Sequence, residues 1–287
     1  MRRHALIILL VAIIITSGCL GGKDTTGSSP AIEETKVTPS TTTTTTMETT
    51  TTQTSSPLQR PGETREKLLQ EVSGMERYTY TANTTISMIV VVTEENLSQR
   101  DNVTLRIIEE GYLDLESGDA WINTTTTSVP DGASTNTSRI VVGNVTYLLT
   151  PAGWVKEDPN ASRLLWEYNI VSLARRYLKK EPDERETGER LLLRYVLGGD
   201  EIEPLGRAYF AMTPDTEVEV RDGLLELYFE GGKLAGGRIS FRIRTVTSIN
   251  DPNLGSMTIT QDGSWSQTVR ITSVNERRKV EAPASSP

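Results

Sequence analysis

The stretch that decides the fold is YTYTANTTISMIVVV, residues 78–92, in which apolar and polar side chains alternate. The odd positions from 79 to 87 carry Thr, Asn or Ser, and the apolar even positions are Tyr78, Tyr80, Ala82, Ile86, Met88, Val90 and Val92. Successive side chains of a strand point to opposite faces, so a period of two is typical of a strand with one buried face and one solvated face. The sequence therefore predicts a long strand in an antiparallel sheet.

Further strands are predicted on both sides of this one. After a polar turn at 94–101 the alternation resumes at Val103, and an interruption at Glu109 to Gly111 predicts a bulge or bend. Other candidate strands lie at 120–127, 139–142, 145–149, 191–197 and 238–244. Because consecutive strands joined by short polar turns form meanders, we expect an antiparallel arrangement.

Three segments have helical spacing instead. Leu68, Leu69 and Val72 before Gly74 predict a short opening helix, residues 161–180 predict one longer helix, and 205–210 a short one. Four basic residues crowd the end of the longer helix; either they complement its dipole in solvent or they form a patch for an anionic headgroup. The sequence thus predicts a single α+β domain in which helices cover one face of a broad antiparallel sheet.

Composition excludes several kinds of site. The chain of 287 residues has one cysteine, Cys19, and one histidine, His4, both within its first 19 residues. Zinc sites built on Cys or His, disulfide scaffolds and Ser-His-Asp or Cys-His catalysis are therefore excluded for the rest of the chain. We expect no metal, no cofactor and no catalytic residue. The formal net charge of -8 argues against binding to nucleic acid.

The N-terminus has the layout of an export signal. Arg2 and Arg3 precede eleven apolar residues at 5–15, which are too few to span a bilayer, and small residues then lead to Cys19. We expect residues 1–18 to be a signal peptide and Cys19 to carry a lipid that anchors the protein to the outer face of the cell membrane. Alternatively, Cys19 ends an uncleaved apolar anchor. Cleavage would leave 28 basic and 38 acidic residues, a net charge of -10.

A disordered stalk is predicted to follow. Residues 40–56 contain eleven Thr and three Ser, and such a segment cannot bury enough surface to fold. It is either an O-glycosylated stalk or a plain tether. We therefore divide the chain into the signal peptide, a lipidated stalk at 19–58, one folded domain at 59–283 and a tail at 284–287.

Asparagines in the sequon Asn-X-Ser/Thr are concentrated in the first half of the predicted sheet. Seven of the eleven asparagines have this context, either as acceptors of N-linked glycans or because Thr-rich strands generate sequons by composition. The seven are Asn83, Asn96, Asn102, Asn123, Asn136, Asn144 and Asn160.

Several motifs together resemble a known class. They are the lipobox-like 16–19, an opening helix before a long strand at 77–93, a hairpin from Val145 to Val155 that contains Tyr147 and Gly153-Trp154, and a closing strand through 274–283. This combination resembles the LolA/LolB and LppX/LprG half-barrel lipoproteins of prokaryotes, with an archaeal source favoured. The resemblance implies a strongly curved sheet around helices, with an apolar cavity for a lipid or acylated ligand.

Two functions from different classes remain. The first is a non-enzymatic, membrane-anchored lipoprotein that binds an apolar or amphipathic ligand between sheet and helices; the candidate cavity-lining residues are Ile86, Met88, Ile239, Phe241 and Ile243. The second is a glycosylated structural or adhesive envelope module that binds polysaccharide or another surface protein. A hydrolase working through paired carboxylates is a third interpretation, and none of the 38 acidic residues stands out for it.

Overall fold

An antiparallel sheet of eleven strands dominates the computed structural model, which describes residues 64–94, 97–157, 162–251 and 255–284. All of these residues belong to one compact unit. The strands are β1 (Arg77–Glu94), β2 (Leu97–Asp114), β3 (Asp119–Val129), β4 (Ser134–Val142), β5 (Val145–Thr150), β6 (Gly153–Lys156), β7 (Glu184–Thr187), β8 (Leu191–Leu197), β9 (Glu217–Glu230), β10 (Lys233–Asp251) and β11 (Gly255–Val274). The helices are α1 (Arg65–Ser73), α2 (Arg163–Tyr168), α3 (Ile170–Tyr177) and α4 (Gly199–Phe210).

Two meanders meet at the centre of this sheet. The strand order is β6-β5-β4-β3-β2-β1-β11-β10-β9-β8-β7, so the first and last strands of the chain pair with each other. The sheet is open, because β6 and β7 lie at opposite edges. This confirms the predicted antiparallel sheet, including the strand predicted at 191–197.

The alternation in β1 separates two faces. The even positions from 78 to 90 are buried, with Tyr78 at 1% and Ile86 at 3% exposure, whereas Thr81, Asn83 and Thr85 are exposed. We call the buried side the inner face and the other the outer face. Long strands of this pattern form because β-branched and aromatic side chains pack well on a half-buried pleated surface.

Helices α3 and α4 contact the inner face of the β9–β10 region. The Phe210 ring of α4 lies 6.5 Å from the Phe241 ring. A Cβ on Gly206 of α4 would lie 2.9 Å from Ile243 Cδ1, so a larger residue would force that side chain to shift. A Cβ on Gly237 of β10 would lie 2.5 Å from Ile170 Cδ1 of α3. Small residues at the contacts therefore let the helix backbones approach the sheet.

The predicted bulge at Glu109 to Gly111 was wrong. Strand β2 pairs with β1 without a register shift from Leu97 to Asp114. The glycine is required for a different reason: the Tyr80 ring covers it, and a Cβ at position 111 would lie 2.6 Å from Tyr80 Cε1. The predicted polar turn at 94–101 was also too long, since pairing continues to Glu94 opposite Leu97.

The single helix predicted at 161–180 is two helices. Asn169 ends α2 and caps α3: its Oδ1 accepts from Ser172 N at 2.9 Å, and its Nδ2 donates to the carbonyl oxygen of Trp166 at 2.9 Å. A side chain that bonds to both helices favours a break between them. The helix predicted at 205–210 begins earlier, at Gly199, and the acidic run at 200–203 forms its first turns, where the helix dipole favours negative charge.

The predicted closing strand through 274–283 was also wrong, because β11 ends at Val274. Asn275 has φ 60, a left-handed conformation that asparagine tolerates. Its Oδ1 accepts from Glu76 N at 2.9 Å and its Nδ2 donates to Gly74 O at 3.0 Å. The end of the last strand is thereby fastened to the connection between α1 and β1.

The predicted signal peptide, Cys19 and the predicted stalk lie outside the described residues. Within the described ranges, the helices are all too short or too polar to cross a bilayer.

Candidate functional site on the inner face of the sheet

The five predicted cavity-lining residues share one face of the sheet. Their exposures lie between 1% and 4%, and they are Ile86, Met88, Ile239, Phe241 and Ile243. Ile86 and Phe241 both lie opposite Trp265, and the Phe241 and Trp265 rings stack with their centroids 5.1 Å apart. These residues form a contiguous apolar layer. That they line a cavity stays a prediction.

Apolar side chains at one end of this face are only half-buried. They are Val92, Val103, Ile249 and Met257, and all four pack against the buried core. The register brings two of them together, because Ile249 lies opposite Met257. We call these four residues the rim. An apolar group that covered the rim would remove its accessible surface from water, which is favourable by about 25 cal/mol per Å².

A polar pair crosses the inner face near the middle of the sheet. Gln267 Nε2 of β11 donates to Glu109 Oε2 of β2 at 2.9 Å. These strands are separated by β1, whose inward residue opposite Glu109 is Ala82. Because the alanine side chain is short, the two longer side chains meet above it.

Burial dominates the electrostatics of this pair. The Glu109 carboxyl keeps limited contact with solvent but is surrounded by protein, and burial raises its pKa. The Arg139 guanidinium and hydrogen bonds from Thr124 and Gln267 lower the pKa and offset only part of this effect. Arg139 also donates from Nε to Glu157 Oε2 at 3.1 Å, so its charge is already neutralised by a second carboxylate.

Two buried polar atoms beside the pair have no hydrogen-bond partner among the described residues: Thr84 Oγ1 and Trp265 Nε1. Thr84 is 2% exposed and lies directly opposite Gln267. Trp265 is 1% exposed and precedes Gln267 by two residues, so its side chain lies on the same face. Leaving such a group unpaired costs about 1–3 kcal/mol. We call Thr84, Glu109, Trp265 and Gln267 the polar cluster.

Two more buried polar atoms without a hydrogen-bond partner in the described part of the chain, Gln261 Oε1 and Thr245 Oγ1, lie further along the same face. These residues are opposite each other in β11 and β10. Gln261 Nε2 donates to the carbonyl oxygen of Phe210 at 3.2 Å, so this glutamine satisfies the C-terminal end of α4.

The polar cluster was not predicted from the sequence. Glu109 is one of 38 acidic residues, and nothing in its local sequence distinguishes it. Thr84 did carry a signal, because it is the polar residue at an even, inward position of the alternating stretch.

The sequons that the structure describes are exposed. Asn83, Asn102, Asn123 and Asn136 project from the outer face, and Asn144 lies in the turn between β4 and β5. Asn96 and Asn160 lie outside the described residues. The positions are accessible to a glycosyltransferase, and glycan occupancy stays a prediction.

At the end of the helix predicted at 161–180, basic side chains bind to neighbouring groups of the protein. Arg175 donates to the carbonyl oxygens of Val72, Ser73 and Met75, the nearest at 2.7 Å, and so satisfies the C-terminal end of α1. Lys180 pairs with Glu201 at 3.0 Å. In the part of the chain that the structure describes, acidic, His and Cys side chains form no group of three placed to bind a metal ion.

Aromatic side chains form a separate cluster on the outer face near the β6 edge. Trp121, Tyr147 and Trp154 are half-buried there, and Leu149 is 37% exposed. Ile140 lies opposite both Trp121 and Tyr147, and Leu149 opposite Trp154. We call Trp121, Tyr147 and Trp154 the outer aromatic patch.

The chain matches no family model and no curated protein. Among solved structures it is similar to LprF from Mycobacterium bovis, with a TM-score of 0.34 and 10% identity over 78% of this chain and 99% of that one. It is also similar to lipovitellin, described for its lipid–protein interactions, with a TM-score of 0.30 and 8% identity over 74% of this chain and 26% of that one. A DUF1329 family protein from Desulfovibrio piger has a TM-score of 0.22 and 8% identity, over 72% of this chain and 91% of that one. Similarities at this level carry no inference about a ligand.

Proposed function

We propose that the protein is a non-enzymatic surface lipoprotein that binds an apolar or amphipathic ligand along the inner face of its curved, half-barrel sheet, beneath the helices. Removal of a signal peptide at 1–18 and lipidation of Cys19 anchor it to the outer face of the cell membrane. The Thr-rich stalk then holds the folded domain away from the bilayer.

The observation that carries the proposal is the course of the inner face along β1. From the polar cluster at Thr84 the inward side chains are Ile86, Met88 and Val90, and the half-buried Val92 of the rim follows. An apolar row along one strand, with a polar group at one end and half-buried apolar surface at the other, matches the chemistry of an amphipathic molecule.

Neighbouring valines with opposite orientations provide the test. Val92 points to the inner face and Val91 to the outer face, and both are half-buried. Full-length protein from its native membrane should release a lipid-like molecule in native mass spectrometry, and delipidated protein should bind a fluorescent alkyl probe. We expect Val92→Asp to weaken probe binding at least ten-fold and Val91→Asp to change it less than two-fold.

Equal effects of the two aspartates, or purified protein with no lipid and no probe binding, would contradict ligand binding on the inner face.

The outer aromatic patch favours a second candidate, an envelope module that binds polysaccharide. Exposed aromatic rings stack on apolar faces of ligands, and the patch adjoins the sequon at Asn123. Affinity electrophoresis of the full chain in gels containing envelope polysaccharide tests it. Retardation that Trp154→Ala abolishes, and that its inward neighbour Val155→Ala leaves intact, would support this candidate; unretarded protein would exclude it.

A further inference from the structure

We propose that the polar cluster, Thr84, Glu109, Trp265 and Gln267, binds an uncharged hydroxyl-bearing head group of the amphipathic ligand. The inference rests on the proposed ligand-binding function and names the ligand's polar end.

The cluster is compact because its members occupy adjacent inward positions of three neighbouring strands. Thr84 of β1 lies opposite Gln267 of β11, and Gln267 is hydrogen-bonded to Glu109 of β2. Trp265 lies opposite Ile86, one inward position further along. The register thus places the unpaired atoms of Thr84 and Trp265 at neighbouring inward positions, beside the hydrogen bond between Glu109 and Gln267.

The unpaired atoms define what such a group must offer. The Trp265 indole Nε1–H is a donor only, the Thr84 hydroxyl both donates and accepts, and a glutamate carboxylate accepts. Neither Thr84 Oγ1 nor Trp265 Nε1 has a partner within the described ranges, although both residues are at least 98% buried. A ligand hydroxyl accepts from the indole and donates to threonine or glutamate, so it satisfies both kinds of atom at once.

The charges around the cluster disfavour an anionic head group. Arg139 of β4 is the cation that acts on Glu109, and it is paired with Glu157. The other titratable groups that face Glu109 are the phenols of Tyr80 and Tyr209. A carboxylate or phosphate would therefore meet Glu109 with no uncompensated positive charge nearby. An ammonium group offers no acceptor, so it would leave the Trp265 N–H unpaired.

The apolar part of the ligand has a continuous path away from the cluster. Thr84 and Val92 are eight residues apart in one strand, which corresponds to roughly 26 Å. Ile86, Met88 and Val90 lie between them on the same face. An alkyl chain that lay along this row would extend from the cluster towards the rim and would have to displace the side chains that now cover these buried residues.

Ligands with one chain length and different head groups test the inference. Delipidated full-length protein would be titrated with 1-monomyristoylglycerol, myristate, myristyl phosphate and myristyltrimethylammonium in competition with a fluorescent alkyl probe. We expect the glyceride to bind at least ten-fold more tightly than any of the charged ligands. Thr84→Val and Trp265→Phe, which remove the hydroxyl and the N–H, should each reduce this preference three-fold or more.

Conservative and matched variants separate recognition from folding. Thr84→Ser keeps the hydroxyl and should retain the preference, and Thr85→Val, on the outer face, should not alter it. Equal affinity for all four ligands, or a preference unchanged in both Thr84→Val and Trp265→Phe, would overturn the inference while leaving ligand binding intact. If none of the four ligands nor the probe binds, the proposed function itself fails.

Discussion

The aromatic ring of Tyr80 in β1 lies on Gly111, its cross-strand partner in β2, and leaves no room for a side chain at position 111. Tyr80 also faces the carboxyl of Glu109 and approaches the ring of Tyr78, at 5.9 Å between centroids. This glycine therefore fixes the aromatic packing next to the polar cluster.

Replacing that glycine should destabilise the domain. In Gly111→Val the Cβ would lie 2.6 Å from Tyr80 Cε1, and the buried ring would have to move. Overpacking of this kind costs about 1–3 kcal/mol in the free energy of unfolding, measurable by urea denaturation. Gly188→Ala is the matched control, because no atom lies within 4 Å of the added Cβ. Equal stability of the two variants would show that the ring does not depend on the glycine.

The ion pair of Asp114 with Arg77 should give a stability difference that depends on pH. Burial opposes ionisation of Asp114, but hydrogen bonds from the N–H groups of Ser117 and Glu116, together with Arg77, lower its pKa below 3.8. The stabilisation of the folded state by ionised Asp114 is therefore present above pH 3.8. It is lost as the pH falls through the lower pKa that this carboxyl has in the folded state. Asp114→Asn should cost about 2–3 kcal/mol at pH 7, and less in more acidic solution.

Glu116→Gln is the control for this pair, because Glu116 contacts the same arginine with a side chain that is 67% exposed. Exposed pairs contribute about 0–1 kcal/mol, so we expect a small effect. If the loss of unfolding free energy in Asp114→Asn stayed constant from pH 7 to pH 2, the pH-dependent role of the Asp114 carboxylate would be refuted.

Glu109 should show the opposite dependence on pH. Burial raises its pKa above 4.5, so the folded state retains a proton that the unfolded state releases. The wild-type protein should lose stability relative to Glu109→Gln as the pH rises from 4.5 through the folded-state pKa. Urea unfolding of both proteins from pH 4 to pH 8 measures this. Glu110→Gln, on the exposed outer face, is the control, and its free energy of unfolding should change with pH as that of wild type does. If the free energy of unfolding of Glu109→Gln also followed wild type at every pH, the proposed effect of burial would be wrong.

Anchoring through Cys19 predicts a change of location. Expressed as the full chain in a prokaryotic host that lipidates proteins, wild type should partition into the membrane fraction and Cys19→Ser should be released. Ser17→Ala keeps a small residue before the cysteine and should remain attached. Membrane retention of Cys19→Ser would instead indicate an uncleaved apolar anchor. Mass spectrometry of the N-terminus distinguishes a cleaved, lipidated protein from an uncleaved one.

Alternation predicted the sheet because it is a local property of each strand. Residues 78–92 and 191–197 could be assigned from their own side chains. The errors arose where a residue's role depends on a distant partner. Gly111 suggested a bulge because the ring of Tyr80, 31 residues away, is not visible in the local pattern. Asn169 lay within an apparent helix, and only its hydrogen bonds to both sides show the break.

The candidate site was predictable in its apolar part and not in its polar part. Ile86, Met88 and Phe241 follow from the period of two. Glu109 and Gln267 are 158 positions apart in sequence and meet only because the first and last strands pair at the centre of the sheet. That pairing is a matter of topology, which side-chain periodicity does not encode.

The central position of β1 also determines how the domain would bear mechanical load. Strand β1 has 18 residues and is hydrogen-bonded to β2 on one side and to β11 on the other over nearly its whole length. A pull applied at Arg77 along the axis of this strand would act in shear on two long ladders at once, whose bonds would have to break together.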